Sequence, residues 1–170
     1  MDMLALLDRC VGLEHGAAKI YDALARRCAA DPELAVLWSD MARDEREHGR
    51  KLATWRDLLA AEPAEHRPRA SGFTTDVEAV ERLLADANAR APHADVEEAF
   101  ALALALEASE IDAIYTTLLH ASPLARFPDF AVTVRHETSR HHEALRTAAE
   151  RRCRSERNRL RIALLAAHER

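Results

Sequence analysis

The sequence predicts an all-α protein: a four-helix bundle with a crossover connection carrying a short helix, plus a C-terminal helical tail. Three observations predict it. Only four glycines and six prolines stand in 170 residues, too few for the turns of a β-rich chain. Apolar residues recur three or four apart along most of the chain, the period of a helix that buries one face. The stretch from Ala101 to Leu106 is unbroken apolar, the mark of a helix enclosed on all sides. With 48% hydrophobic and 31% charged residues the composition is that of an ordinary water-soluble domain.

The first helix is expected over residues 2–29, where Leu4, Leu7, Val11, Glu14, Ala18, Tyr21 and Ala25 fall on one stripe. Glu14 therefore sits inside the apolar stripe, not beside it. Asp31-Pro32-Glu33 opens the second helix, with Asp31 as N-cap, Pro32 at the first position and an acid in the first turn. This helix is expected to reach about residue 61, and the short link makes the two helices antiparallel neighbours. Its stripe runs Leu34, Leu37, Trp38, Met41 and then Leu52, Trp55, Leu59. Between these lie Glu45 and His48, three apart and so on the same face.

Residues 62–73, with Pro63, Pro68 and Gly72, read as loop, and Thr75-Asp76-Val77-Glu78 is a capping box for a short helix to about residue 90. Asp95 caps the third long helix, expected to run to about residue 121, with Glu107 closing its apolar run and Glu110 one turn later. Pro123 and Pro128 break the chain. Asp129 starts the fourth helix, whose stripe is Phe130, Val134, Glu137, His141, Leu145 and Ala148. Residues 1–150 thus form the bundle domain. Residues 151–170, Arg-rich and then apolar at Leu160, Ile162, Ala163 and Leu164, form an extension that continues the fourth helix or folds back on it. The extension reads as a packing or oligomer helix, its arginines as a solvated face.

The two halves repeat. Glu14 and Glu107, His48 and His141, and Leu52 and Leu145 are each 93 apart, and Glu45 and Glu137 are 92 apart. Each half supplies a lone Glu on one helix and a Glu/His pair on the next. Two such hairpins related by a pseudo-twofold would gather all six groups at one centre. Four carboxylates in a core cannot all ionise without cations, and without them they are expected to take up protons. Two divalent ions would neutralise them. Carboxylates with imidazoles suit iron or manganese, with Glu45 and Glu137 as bridges, and two adjacent redox ions can deliver two electrons to O2 or peroxide. Tyr21 and Tyr115 read as core aromatics, and His15, Asp44 and Glu47 as neighbours of the site that point to another face.

Other classes are set aside. A net charge of −5 argues against a nucleic-acid surface, and no apolar run has the length of a membrane span. The three cysteines, Cys10, Cys28 and Cys153, form no Cys-x-x-Cys. Their odd count and the lack of a legible leader predict a cytoplasmic protein.

Over about residues 4–150 the chain resembles the ferritin-like superfamily, and within it the rubrerythrin-like branch. The resemblance is carried by Glu14 with Tyr21-x-x-Leu24-Ala25, by Glu45-x-x-His48-x-x-x-Leu52, by Glu107-x-x-Glu110, and by Glu137 with His141. It implies a non-haem centre of two iron ions, with manganese as the alternative. Glu14 and Glu107 would be terminal ligands, Glu45 and Glu137 bridges, and His48 and His141 one per metal. Glu110 matches the extra carboxylate that marks rubrerythrins, so it joins the metal set and takes the catalytic role. The implied activity is peroxide reduction in oxidative-stress defence, with hydrogen peroxide or O2 as the oxidant. The rivals are a ferroxidase for iron storage and a metal-stabilised interaction module without turnover. Two departures stand out. Helix four has Glu137-x-x-x-His141, with Arg140 in the expected His position, and no rubredoxin domain accompanies the bundle, so electrons must come from an external donor. A homo-oligomer with no nucleic-acid or membrane partner is expected.

Overall fold

The structure is a computed structural model that describes residues 2–67, 77–109 and 128–168, with side chains described over 2–67, 77–109 and 140–164. Among the described residues the only regular structure is helical: α1 Met3–Arg27, α2 Pro32–Ala61, α3 Val77–Arg90, α4 Val96–Glu107, α5 Pro128–Arg152 and α6 Glu156–His168, with single 3-10 turns at Ala64–His66 and Ala91–His93.

Helices α1 and α2 form the most extensive helix pair among the described residues. Ion pairs Asp22–Arg46 and Asp8–Arg56 step in opposite directions along the two helices, as antiparallel packing requires. The Asp31 carboxylate accepts from the Leu34 backbone N–H at 3.3 Å, and Pro32 stands at the first position, as the local sequence predicts. The buried faces carry Leu6, Leu7, Leu13, Ile20, Tyr21 and Leu24 from α1 and Leu34, Trp38, Met41, Leu52, Trp55 and Leu59 from α2. Tyr21 stacks parallel to Trp38 with ring centroids 6.1 Å apart, and Trp38 tilts against Phe100 of α4 at 5.0 Å. Burying three such rings supplies several kcal/mol of the hydrophobic driving force.

The crossover is not a bare loop. Its helix α3 lies along α1, burying Val77, Val80, Leu84 and Ala87 and pairing Glu81 with Arg9 at 2.8 Å. Thr75 and Asp76 of the expected capping box lie outside the described residues. Asp95 caps α4 by accepting from the Glu98 N–H at 2.8 Å. The described helix stops at Glu107 rather than near residue 121. The Leu106 carbonyl accepts from both the Ser109 N–H, at 3.0 Å, and the Ser109 hydroxyl, a local turn that competes with the helix ladder. Residues 110–127 lie outside the described residues.

The tail folds back as a separate helix. Glu97 of α4 gathers the turn: its carboxylate accepts from the Arg154 and Ser155 backbone N–H groups and from Asn158 Nδ2 at 2.8 Å, and its carbonyl accepts from Asn158 Nδ2 at 2.9 Å. The arginines flanking that turn are not simply a solvated face. Arg151 and Arg152 pair with Glu33 and Asp31 at the start of α2, and Arg161 donates to the Ala101 carbonyl at 2.7 Å.

Candidate metal centre

Four helices each bring a polar side chain to one point in the core. Glu14 of α1 and Glu45 and His48 of α2 are at most 5% exposed. His141 of α5 is 4% exposed, and the Glu107 side chain at the end of α4 is 7% exposed. Helical spacing explains the local part: Glu45 and His48 share a face, and their Oε2 and Nδ1 atoms lie 3.2 Å apart. Packing explains the rest. Glu14 Oε2 lies 4.0 Å from His48 Nδ1, and His141 Nε2 lies 3.4 Å from Glu45 Oε1 and 3.0 Å from Glu107 Oε1.

The donor atoms fall into two trios, Glu14 with Glu45 and His48, and Glu45 with Glu107 and His141, each with its atoms within 4.8 Å of one another. Glu45 belongs to both. One of its oxygens faces His48 and the other His141, so a single carboxylate joins the two positions. The helix of Glu137 is described but its side chain is not, and Glu110 lies outside the described residues.

The chemistry of this set fits metal ions. Each trio offers carboxylate oxygens and an imidazole nitrogen at buried positions, where uncompensated charge is costly. Carboxylate oxygens approach both His141 nitrogens at 3.0 to 3.9 Å, yet among the described residues neither nitrogen has a hydrogen bond of acceptable geometry. Atoms that converge without satisfying one another are arranged for something between them.

At the His141–Glu107 contact the proton favours the imidazole over the acid. Burial alone would lower the His141 pKa, but the Glu107 charge, with Asp44 and Glu45, raises it well above its ordinary value. Burial would likewise raise Glu107, but His141 and His142 hold it well below the usual carboxylate range. For Glu107 this corrects the expectation that clustered carboxylates take up protons without metal: the facing imidazoles outweigh the cost of burial.

Three further side chains belong to the site. Asp44, expected to point elsewhere, has Oδ2 at 3.9 Å from His141 Nδ1 and 3.6 Å from Arg140, the residue in the expected His position. One helical step turns Asp44 only ~100° from Glu45, and α5 packs into that angle. The Tyr21 hydroxyl donates to Glu107 Oε1, so this core aromatic is also polar support for the site. His142 Nε2 lies 3.2 Å from Glu107 Oε2. Adjacency to Glu45 and His141 was the only sequence signal for Asp44 and His142. His15 is exposed, and Glu47 pairs with Arg50 at 2.6 Å, consistent with faces turned outward.

Close approach of α1 to α2 here depends on Gly49. A Cβ on Gly49 would lie 3.0 Å from His15 Nε2 and 3.4 Å from Glu14 Cβ. The exposed His15 ring can swing aside, so Gly49→Ala is expected to keep the site. Gly49→Leu must also displace Glu14, and metal titration should show the Glu14–His48 position weakened about tenfold with helicity retained. Unchanged affinity in Gly49→Leu would mean that close approach does not matter.

The family model for rubrerythrin matches residues 5–147. No curated protein and no solved structure matches the chain.

Proposed function

The chain belongs to the rubrerythrin family, iron-binding helical bundles of the ferritin-like superfamily, and from that premise we propose that it is a non-haem di-iron peroxide reductase. The observation that carries this reading is Glu45, one carboxylate with an oxygen toward each of two His-containing trios. In the proposed assignment Glu14, Glu45 and His48 hold one ion, and Glu45, Glu107 and His141 the other. Glu137 would be the second bridge and Glu110 the extra carboxylate that the family resemblance implies. Two irons held there would supply two electrons, enough with two protons to reduce hydrogen peroxide to two waters.

The chain's own residues prepare the position. Tyr21 packs against His141 and stacks on Trp38, and both aromatic residues are fully buried, so this side of the site excludes water and strengthens the electrostatics inside. Loading requires the His141 Nε2 lone pair, so a proton leaves that nitrogen as metal binds. Asp44, beside Nδ1, is placed to keep a proton on the other nitrogen and so fix the tautomer. Asp44 is itself held below its ordinary pKa: partial burial opposes this, and His141 with Arg43 and Arg140 overcomes it.

An external electron donor and a reducing cytoplasm belong to the same reading. Cys10, Cys28 and Cys153 are all free and buried, a state that reducing compartments keep. Among the described residues no helix is long and apolar enough to cross a membrane.

The deciding experiment is stopped-flow oxidation of the reduced protein by hydrogen peroxide and by O2. In this reading the negative charge of Glu110 would favour the oxidised state and crowd the O2 position. Peroxide is therefore expected to react faster, and Glu110→Ala to shrink the preference with metal content intact. Equal rates in wild type would move the assignment to a ferroxidase. A metal-loaded protein inert to both oxidants would leave an interaction module.

A further inference from the structure

Helix α5 presents two adjacent imidazoles to one carboxylate. His141 Nε2 lies 3.0 Å from Glu107 Oε1, and His142 Nε2 lies 3.2 Å from Glu107 Oε2. Neighbouring residues on a helix point about 100° apart, so both rings reach one group only because that carboxylate sits in the fork between them. Both rings are buried. Glu107 is also the last residue of α4, where the helix dipole disfavours a negative side chain. Two groups from other helices approach it: the Tyr21 hydroxyl donates to Oε1, and His142 Nε2 stands 3.2 Å from Oε2.

The two imidazoles have different tasks. His141 Nε2 is one of the three mutually close donor atoms and has to offer a lone pair there. His142 is outside that trio, and its Nε2 is directed at the outer oxygen of Glu107. A carboxylate oxygen can only accept, so a hydrogen bond here requires the proton on His142 Nε2; in the metal-free chain the two atoms are close but lack hydrogen-bond geometry.

Resting on the two-metal reading above, we propose that His142 is a positioning residue of the Glu45–Glu107–His141 site. With metal bound, its Nε2–H would come into line with Glu107 Oε2, 3.2 Å away, and turn Oε1 toward the ion. The clamp belongs to one of the two positions, so its removal separates them. That makes the centre unequal in a way the internal repeat does not predict, because the position 93 residues earlier holds Gly49, not histidine.

Cobalt(II) titration of the whole chain, followed by visible absorption and thermal melting, tests this in wild type, His142→Leu and His142→Gln. Wild type is expected to take up two cobalt ions. His142→Leu should weaken one position about tenfold, shift the absorption bands of that ion, and leave the other position unchanged. His142→Gln places an amide N–H near the same oxygen and should restore the affinity. Wild-type titration by His142→Leu overturns the proposal. Equal weakening of both positions, or a loss that Gln does not repair, also overturns it by marking a purely structural residue. A wild-type chain that takes up one cobalt ion overturns the two-metal reading and this inference with it, whereas two ions with no effect of His142→Leu overturn the inference alone.

Discussion

Glu45→Ala is expected to strip the protein of both metal ions, whereas Glu14→Ala and Glu107→Ala should each lose mainly one. The asymmetry follows from position. Glu14 and Glu107 lie on opposite sides of the centre and each belongs to one trio, while Glu45 belongs to both. Removing Glu45 takes a charge and an oxygen from each position at once. It also leaves His48 and His141 without the carboxylate oxygens now 3.2 and 3.4 Å away. The fold should survive, since the buried core of Trp38, Leu52, Phe100 and Leu104 is left in place. Elemental analysis after dialysis, with helicity checked by circular dichroism, is the measurement. Near-normal metal in Glu45→Ala would refute the shared carboxylate.

Metal-free protein is expected to be most stable near pH 5 to 6 and to lose stability as pH rises past 7. The His141 pKa is raised in the folded state, so its contribution is complete below its ordinary value and fades as pH rises toward the folded value. The Glu107 pKa is lowered, so its contribution is complete above its ordinary value and fades only as pH falls toward the folded value. Between the two ordinary values both contribute fully. Above about pH 6.5 the loss approaches about 1.4 kcal/mol per pH unit for one proton, until His141 itself deprotonates. Metal takes the place of that proton and binds only the folded chain, so loaded protein should melt higher and almost independently of pH. Identical melting temperatures of the metal-free protein at pH 5.5 and pH 8 would show that the His141–Glu107 pair does not form.

Residues that act within one helix were legible from the chain itself. Asp31 and Asp95 cap helices because a short carboxylate preceding a helical turn reaches backbone N–H groups three residues on. Glu45 and His48 share a face because a helix turns once every 3.6 residues. Glu14 and Glu107 stood out because a carboxylate inside an apolar stripe needs compensation. The repeat between the halves supplied the pairing of hairpins, and the bundle followed from it.

Contacts between side chains on different helices were not legible in this way. Asp44 faces His141, and the Tyr21 hydroxyl reaches Glu107 across the core. Those contacts depend on the rotation and height of one helix against another, which many side chains set jointly. Periodicity assigns a residue to a face but does not say which neighbour lies opposite, and a residue one step off the stripe can be outward on one helix and inward on another. The sequence by itself determined the helical class, the caps at Asp31 and Asp95 and the inward Glu14, Glu45, His48, Glu107 and His141, because these follow local rules of period and hydrogen bonding. Only the tertiary structure decided that Glu45 faces both histidines, that Tyr21 and His142 approach Glu107, and that the Glu107 charge raises the His141 pKa, because each depends on distances of a few ångströms between residues far apart in the chain.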